Sequence, residues 1–509
     1  MAASRAVDDY AIQTCKIPGE QLMLNAGNAL VDTLISQDLL KGDPQTVILA
    51  GHGNNGGDGF VIAAGLYQKG IPVSVILARA ESLIQGDALH HYKTIQSLDV
   101  PISTWDNSSV QCQQIEEADL LVDALLGTGI KGSIRSPYDA LIDRVNASRG
   151  KVVAVDVPSG VTGDLGQILS PCVQSDLTVS MGYGKQGCLF EPARTKSAHI
   201  VPVEIGFPSD SLDQVEDQIL YRNSAQTYSP LNFTRAGAEH KYTTGKVFII
   251  AGSKGFTGAA LLASKAALRA GAGLVRLAIP ASLGTIAESQ SLETVVDYVA
   301  DTGDGHLARA AWPDLQLGCE WADTVVIGPG LGRHLETMDI AKKVIEECSG
   351  PLVVDADALF AINADLTSLE KRQSPTILTP HQGEFKRLFN SEAPHTLGWL
   401  EAQKFAIDHG VHLLLKGAPS LLANPSGHIT VNSSGYAGMA TAGSGDVLSG
   451  VLAALWAQWN HTEVLSFAMY IHGYAADLNR SEKGVLGLIA GDIVEALPRA
   501  LKEYGGLPV

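Results

Sequence analysis

The chain has 509 residues, more than one hydrophobic core usually organises, so it reads as two or more domains. Hydrophobic residues make up 45% and charged residues 18%, a globular balance that excludes a disordered chain. A net charge of −18 with no basic run argues against a nucleic-acid binder, and no apolar run is long enough to span a bilayer.

Six cysteines, Cys15, Cys112, Cys172, Cys188, Cys319 and Cys348, are scattered without a C-x-x-C pair. That pattern suits reduced thiols in a cytoplasmic protein rather than a disulfide framework or a zinc site. The first residues lack the basic, apolar and small-residue order of a signal peptide.

In chain order, residues 47–50 form a short apolar strand leading into Gly51-His52-Gly53-Asn54-Asn55-Gly56-Gly57-Asp58-Gly59. With a helix expected over 59–70, this glycine density suits a phosphate cradle. Two Asn and an Asp in its interior set it apart from the usual dinucleotide fingerprint and could coordinate a hard cation. A structural turn is the alternative. Strands are expected at 73–77, 120–123 and 152–156, which with intervening helices argues for a parallel sheet covered on both faces. Ligands in such sheets sit at the carboxyl ends of the strands, where Asp123, Asp156 and the Gly51 loop fall. Beyond Asp123 runs Leu125-Leu126-Gly127-Thr128-Gly129-Ile130-Lys131-Gly132-Ser133, with Lys131 positioned to reach phosphate. Asp156-Val157-Pro158-Ser159-Gly160 follows the last of these strands, and Asp156 or Ser159 could equally cap a helix or form an Asx turn.

These three motifs, with Leu22-Met23 and Ala26-Gly27, resemble the NAD(P)H-hydrate epimerase (YjeF N-terminal) family over about residues 5–206. The resemblance implies a Rossmann-like three-layer sandwich. It implies a potassium ion held by Asn55, Asp123 and Ser159. It implies substrate contacts from Asn54, Asn55, Gly56, Gly57, Asp58, Gly127, Thr128, Gly129, Ile130, Lys131, Gly132, Ser133 and Asp156. Asp156 is the candidate acid/base for inversion at the hydrated ring carbon.

Residues 207–238, with Pro208, Pro230 and weak periodicity, are expected to separate the domains, set at 1–215 and 216–509. The strand pattern then restarts at 247–251, 274–279, 324–327, 352–355, 376–378 and 411–415. Gly328-Pro329-Gly330-Leu331-Gly332 offers backbone close to a ligand. Asp355 and Asp357 end the next strand, where one could bind magnesium or its waters, with a helix cap at Asp357 as the alternative. His381 and Glu384 follow another strand, and Lys416-Gly417-Ala418-Pro419-Ser420 could wrap a nucleotide phosphate.

In Ala440-Thr441-Ala442-Gly443-Ser444-Gly445-Asp446-Val447-Leu448-Ser449-Gly450, glycines let amides converge on an anion at a helix start. Asp446 then stands where it could take a proton from a hydroxyl attacking a phosphoryl group. A glycine-rich helix start without a phosphate is the alternative. The run up to Ala457 reads as a buried core helix.

This order of motifs, with Phe256-Thr257-Gly258-Ala259-Ala260 and residues 266–275, resembles the NAD(P)H-hydrate dehydratase family over about residues 225–500. That family has a ribokinase-like α/β fold. By position, Ala259, Gly332, His381 and Asp446 would contact hydrated NAD(P)H. Lys416, Gly417, Ala418, Pro419, Ser420 and Gly445 would hold the adenine nucleotide. Ala442, Gln382 and Tyr242 stand where the family usually has Gly, Pro and Gly.

The whole chain thus resembles the bifunctional repair family, acting on NADHX and NADPHX. The resemblance implies Mg2+ in the dehydratase and ADP as phosphoryl donor, giving AMP and phosphate. No nucleic-acid or membrane partner is expected, and a homo-oligomer is. The rivals are a ribokinase-like vitamin-precursor kinase and a non-catalytic nucleotide-binding scaffold.

Overall fold

A computed structural model describes all residues except 1, 131, 198, 229–239, 364, 390–397 and 505–509, and the side chains of all the described residues except 2, 216–218 and 389. The chain divides into two compact units, Met1–Ile219 and Leu220–Val509. Both are α/β.

The first unit contains β1 Thr46–Ala50, β2 Val73–Leu77, β3 Ile102–Thr104, β4 Leu120–Ala124, β5 Lys151–Val155, β6 Leu177–Met181 and β7 His199–Val203. Their order in the sheet is β3-β2-β1-β4-β5-β6-β7, and every pairing is parallel. Successive strand side chains point to opposite faces. Ile48 and Ala50 join one apolar cluster with the helices Gly19–Ser36, Asn54–Gln68 and Gly86–Gln96. Val47 and Leu49 join another with the helices Ser109–Glu116 and Tyr138–Ala147. Strand order reverses between β1 and β4, which opens a crevice at their carboxyl ends.

Strands β3, β6 and β7 go beyond the sequence expectation. In β6, Thr178 and Ser180 interrupt the apolar run yet are fully buried. Their hydroxyls donate to the carbonyls of Ser197 and Asp156, both at 3.0 Å, so burial leaves them satisfied. Strand β7 carries Pro202, which an edge strand tolerates.

The second unit contains β8 Leu220–Arg222, β9 Lys246–Ile250, β10 Leu274–Pro280, β11 Val295–Val299, β12 Thr324–Ile327, β13 Leu352–Val354, β14 Thr376–Leu378, β15 His412–Leu415, β16 Leu421–Ala423 and β17 Ile429–Val431. The sheet order is β11-β10-β9-β12-β13-β14-β15-β16-β17-β8. Only the pairs β15–β16 and β16–β17 are antiparallel. The stretch expected to separate domains thus supplies an edge strand, β8, while its residues 229–239 lie outside the described residues.

The helix Ser444–Trp459 is buried from Val447 to Trp456 and packs on the helix Thr257–Arg269. The two approach closely because Gly450 has no side chain: a Cβ there would lie 2.2 Å from the Ala263 carbonyl oxygen. Among the described residues no helix is long and apolar enough to cross a membrane.

Two candidate active sites

The first site is a cavity of about 660 Å³ at the crevice of the seven-stranded sheet. The helix after β1 starts at Asn54, not at 59, so the glycines expected in a loop occupy its first turns. Glycine is a poor helix former, and packing overrides that preference here. A Cβ on Gly56 would lie 2.0 Å from the Gly51 carbonyl oxygen, and one on Gly57 2.4 Å from Met23 Sδ. Asn54, Asn55 and Asp58 line the cavity, whereas Gly56 and Gly57 are buried beneath it. Gly127, Thr128, Gly129 and Ile130 line it too; Gly132 and Ser133 line a neighbouring cavity. Lys131 lies outside the described residues.

Asp156 follows β5 with φ +65°, an uncommon backbone for a residue with a side chain. Three bonds over-determine it. Its amide donates to the Val179 carbonyl at 2.8 Å, its carbonyl accepts from Ser180 Oγ at 3.0 Å, and Oδ1 accepts from the Met181 amide at 3.0 Å. The carboxylate is ion-paired with Lys185 at 2.6 Å, both side chains mostly buried. Lys185 Nζ also donates to the carbonyls of Met181 and Tyr183 at 2.7 and 3.1 Å.

Asp58 and Asp8 share this cavity. Burial first, and then the Asp156 charge, push the Asp58 carboxyl well above its usual range. Asp8, from the helix Ala2–Asp9, is raised to about 6 by partial burial, with Lys185 opposing and Asp156 adding. Neither Asp8 nor Lys185 was legible as a site residue. Lys185 follows β6, whose polar alternation hid it; recognising that strand would have put Lys185 at the same sheet edge.

Asp123 and Ser159 sit below the cavity, fully buried. Ser159 donates to Asp123 from its hydroxyl at 2.6 Å and its amide at 2.8 Å, and the Leu125 amide donates at 3.2 Å. Burial outweighs these bonds and raises Asp123 to about 6. The Leu126 amide donates to Ser159 Oγ at 2.9 Å. Asn55 rests against the adjacent Gly127, and its buried Nδ2 has no hydrogen-bond partner among the described residues.

The second site gathers the strand-end loops after β12, β13, β14 and β15 at the start of the helix Ser444–Trp459. Gly443 precedes that helix at φ +89°, where a Cβ would lie 2.6 Å from Leu262 Cδ1. Among the described residues no side chain caps the helix; the Ser444 amide makes a long bond to the Thr441 carbonyl at 3.5 Å, and the helix start is otherwise open to an anion. Asp446 lies in the first turn. Burial, then the charge of Asp355, raise it to about 7, with Lys416 opposing.

Lys416, expected on a nucleotide phosphate, is ion-paired with Asp355 at 2.8 Å. Ser449 Oγ donates to the other oxygen of Asp355, also at 2.8 Å. Burial alone would raise Asp355, but Lys416 and the hydrogen bonds outweigh it and hold the carboxyl below the ordinary range. The Lys416 ammonium still faces the helix start, 3.4 Å from where a Cβ on Gly445 would stand. Ser449 was not anticipated; it stands in the apolar run that reads as core.

Asp357 accepts from the Gly332 amide at 3.0 Å and pairs with Arg333 at 2.9 Å. Ala259 packs beside this loop, against Gly330. His381 Nδ1 accepts from the Gly383 amide at 2.9 Å, while Glu384 accepts from the His381 amide at 2.8 Å. His381 therefore caps the helix Gln382–Phe389. It also bridges in parallel to Lys416. Ser420 folds back on Gly417, donating to its carbonyl at 3.1 Å, and so closes the turn containing Ala418 and Pro419. Ala442 and Tyr242 do not adopt positive φ, so neither position requires the backbone freedom of the glycine the family usually has there, and Gln382 opens the helix Gln382–Phe389.

Among the described residues no cluster of three or more His, Cys, Asp or Glu could hold a metal ion. Residues 19–187 match the family described as YjeF-related protein N-terminus, and residues 247–499 match NAD(P)H-hydrate dehydratase. The chain is 36% identical to the bifunctional NAD(P)H-hydrate repair enzyme Nnr of Moorella thermoacetica, over 97% of this chain and 95% of that one. It is 33% identical to the enzyme of the same name from Thermofilum pendens, over 98% and 95%. A crystal structure of ADP/ATP-dependent NAD(P)H-hydrate dehydratase from Bacillus subtilis, co-crystallised with ATP/Mg2+, aligns with a TM-score of 0.45 at 26% identity, covering 53% of this chain and 93% of that one.

Proposed function

The chain belongs to the family of bifunctional NAD(P)H-hydrate repair enzymes, an epimerase and a dehydratase on one polypeptide, and on that premise we propose how its two units divide the chemistry. Unit Met1–Ile219 interconverts the two epimers of NADHX and NADPHX, and unit Leu220–Val509 dehydrates one of them. We place this work in the cytoplasm, with the protein a homo-oligomer.

Dehydration must remove a hydroxyl from a carbon beside the ring nitrogen. Hydroxide leaves poorly and phosphate leaves well. Asp446 takes the hydroxyl proton while the hydroxyl oxygen bonds to the terminal phosphorus of ADP, and AMP departs. Amides at the start of the helix Ser444–Trp459 stabilise the charge on the moving phosphoryl group. The ring nitrogen lone pair then expels phosphate, and the resulting iminium loses a proton from the neighbouring ring carbon to restore NAD(P)H. The observation that carries this is Asp446 on an uncapped helix start, above a Lys416–Asp355 pair that keeps a cation beside the phosphoryl position. A base raised to about 7 is matched to neutral pH. Asp355 and Asp357 are each paired with a cation of the chain, so magnesium would enter with the nucleotide and would offset the phosphate charge there.

For epimerisation, Asp58 holds a proton and gives it to the departing hydroxyl, which leaves as water while the ring nitrogen takes up the positive charge. Water adds to the opposite face of the ring carbon, and Asp156 takes its proton. Lys185 fixes Asp156 in place. Among the described residues Asp123 is a fully buried carboxylate without a cationic partner, beside a buried Asn55 amide nitrogen without a hydrogen bond. This fits a missing cation. Exchanging the Asn55 amide oxygen and nitrogen turns an oxygen into the same space. Potassium held by Asn55, Asp123 and Ser159 would supply the compensating charge.

The test is recovery of reduced-nicotinamide absorbance from mixed epimers with potassium, magnesium and either ADP or ATP. Full recovery with one nucleotide supports both activities and identifies the donor. Recovery that stops near half refutes the epimerase assignment, and a stable phosphorylated product replaces the dehydratase with a kinase.

A further inference from the structure

Gly51, Gly53 and Gly56 have the spacing G-x-G-x-x-G, running from the end of β1 into the first turn of the helix Asn54–Gln68. In a doubly wound sheet the pyrophosphate lies over this turn. The group that reads the adenosine ribose comes from beyond the next strand: an acid for a free 2′-hydroxyl, an arginine for a 2′-phosphate. Strand β2 ends at Leu77, and Arg79 follows it. The nearest acid in sequence, Glu81, is engaged by Tyr92 and Gln96.

Arg79 and Arg135 line a second cavity of about 390 Å³. Leu126, Ile130 and Tyr138 line both this cavity and the larger one, so the two adjoin. The Arg79 guanidinium lies over the Tyr138 ring, 5.6 Å from its centroid, and the Tyr138 hydroxyl meets His52 Nδ1 at 2.9 Å. Among the described residues neither arginine has an acidic partner. Two unpaired guanidinium groups at one cavity are unexpected in a chain of net charge −18. Asp156 follows β5, on the far side of the β1–β4 reversal, whereas Arg79 follows β2 on the near side. A dinucleotide laid across the crevice with its nicotinamide at Asp156 directs its adenosine end toward Arg79.

We propose that Arg79 and Arg135 hold the 2′-phosphate of NADPHX, so that the first unit takes this substrate in preference to NADHX. This rests on the epimerase reading of that unit. Guanidinium groups pair with phosphate through short, charge-assisted hydrogen bonds. Both side chains are exposed, so their removal does not threaten the core.

The experiment measures epimerisation kcat/KM for both substrates in the wild-type chain and in the Arg79→Ala and Arg79→Ala/Arg135→Ala variants. The expected result is a wild-type preference for NADPHX that falls about 10- to 100-fold in the double variant, through KM rather than kcat. Equal losses on both substrates, or an unchanged preference, overturn the proposal. Binding of NADP+ against NAD+ by the same proteins gives a readout without turnover. If the wild-type chain does not epimerise, the enzymatic reading of the unit fails, yet an NADP+ preference abolished in the double variant still supports the phosphate site. No such preference overturns it.

Discussion

Asp446→Asn is the most informative perturbation because it should damage activity and improve stability at once. Folding raises the Asp446 carboxyl from 3.8 to about 7, first by burial and then by Asp355. At about 1.4 kcal/mol for each factor of ten, the ionised side chain destabilises the fold by about 4 kcal/mol. Solvent on its open side trims this to about 2–4 kcal/mol. The sign follows from proton binding. The folded state binds this proton more tightly, so the destabilisation is complete above about pH 7, shrinks as pH falls and is gone below about pH 4. Asparagine resembles the protonated carboxyl and cannot ionise. The variant should therefore melt higher by about 5–10 °C in the second unit at about pH 8, and by about a third as much at about pH 5. Melting of the full chain, followed with a probe for each unit, provides the measurement. The same preparation should lose dehydration by about 10²- to 10⁴-fold and keep epimerisation. A gain independent of pH, or no gain, would refute the claim that Asp446 is a desolvated base repelled by Asp355. Loss of both activities in a folded variant would contradict the division of labour.

Asp156→Asn should cut epimerisation by about 10²-fold or more, so absorbance recovery from mixed epimers stops near half; full recovery at the wild-type rate would remove Asp156 from the mechanism. Asp8 titrates near 6, so the pH profile of epimerisation should bend there and lose that bend in Asp8→Asn; a bend that persists assigns it to another group. Asp123→Asn should abolish any difference in the first unit's melting temperature between potassium and sodium, and a difference that survives would exclude Asp123 as a cation ligand. Gly450→Ala places a methyl 2.2 Å from the Ala263 carbonyl oxygen and should destabilise the second unit by about 1–3 kcal/mol, read by denaturant unfolding; wild-type stability would mean the two helices can separate without cost.

The sequence exposes what depends on local pattern. Buried parallel strands such as β1, β4 and β12 are unbroken apolar runs, and the motifs follow them at the sheet edge. It hides what depends on partners distant in the chain. Thr178 and Ser180 look half-exposed until Ser197 and Asp156 are seen to accept their hydroxyl protons. Lys416 reads as a phosphate ligand, but its ion pair with Asp355, far earlier in the chain, shows only in the fold. The glycines after β1 read as a loop because the contacts that require them, to Met23 and to the Gly51 carbonyl, are tertiary.

The left-handed backbone at Asp156 limits how the first unit can change over time. Glycine, asparagine and aspartate enter that conformation readily, whereas longer and branched side chains meet the carbonyl. On backbone grounds the easiest substitutions are thus ones that delete the carboxylate, at the cost of leaving the buried Lys185 ammonium without its ion pair. A lineage released from the need to epimerise would drift to Asn or Gly here while its sheet, glycine turn and dinucleotide crevice persisted. The site is therefore placed to outlive its reaction, as a folded receptor for the same nucleotide.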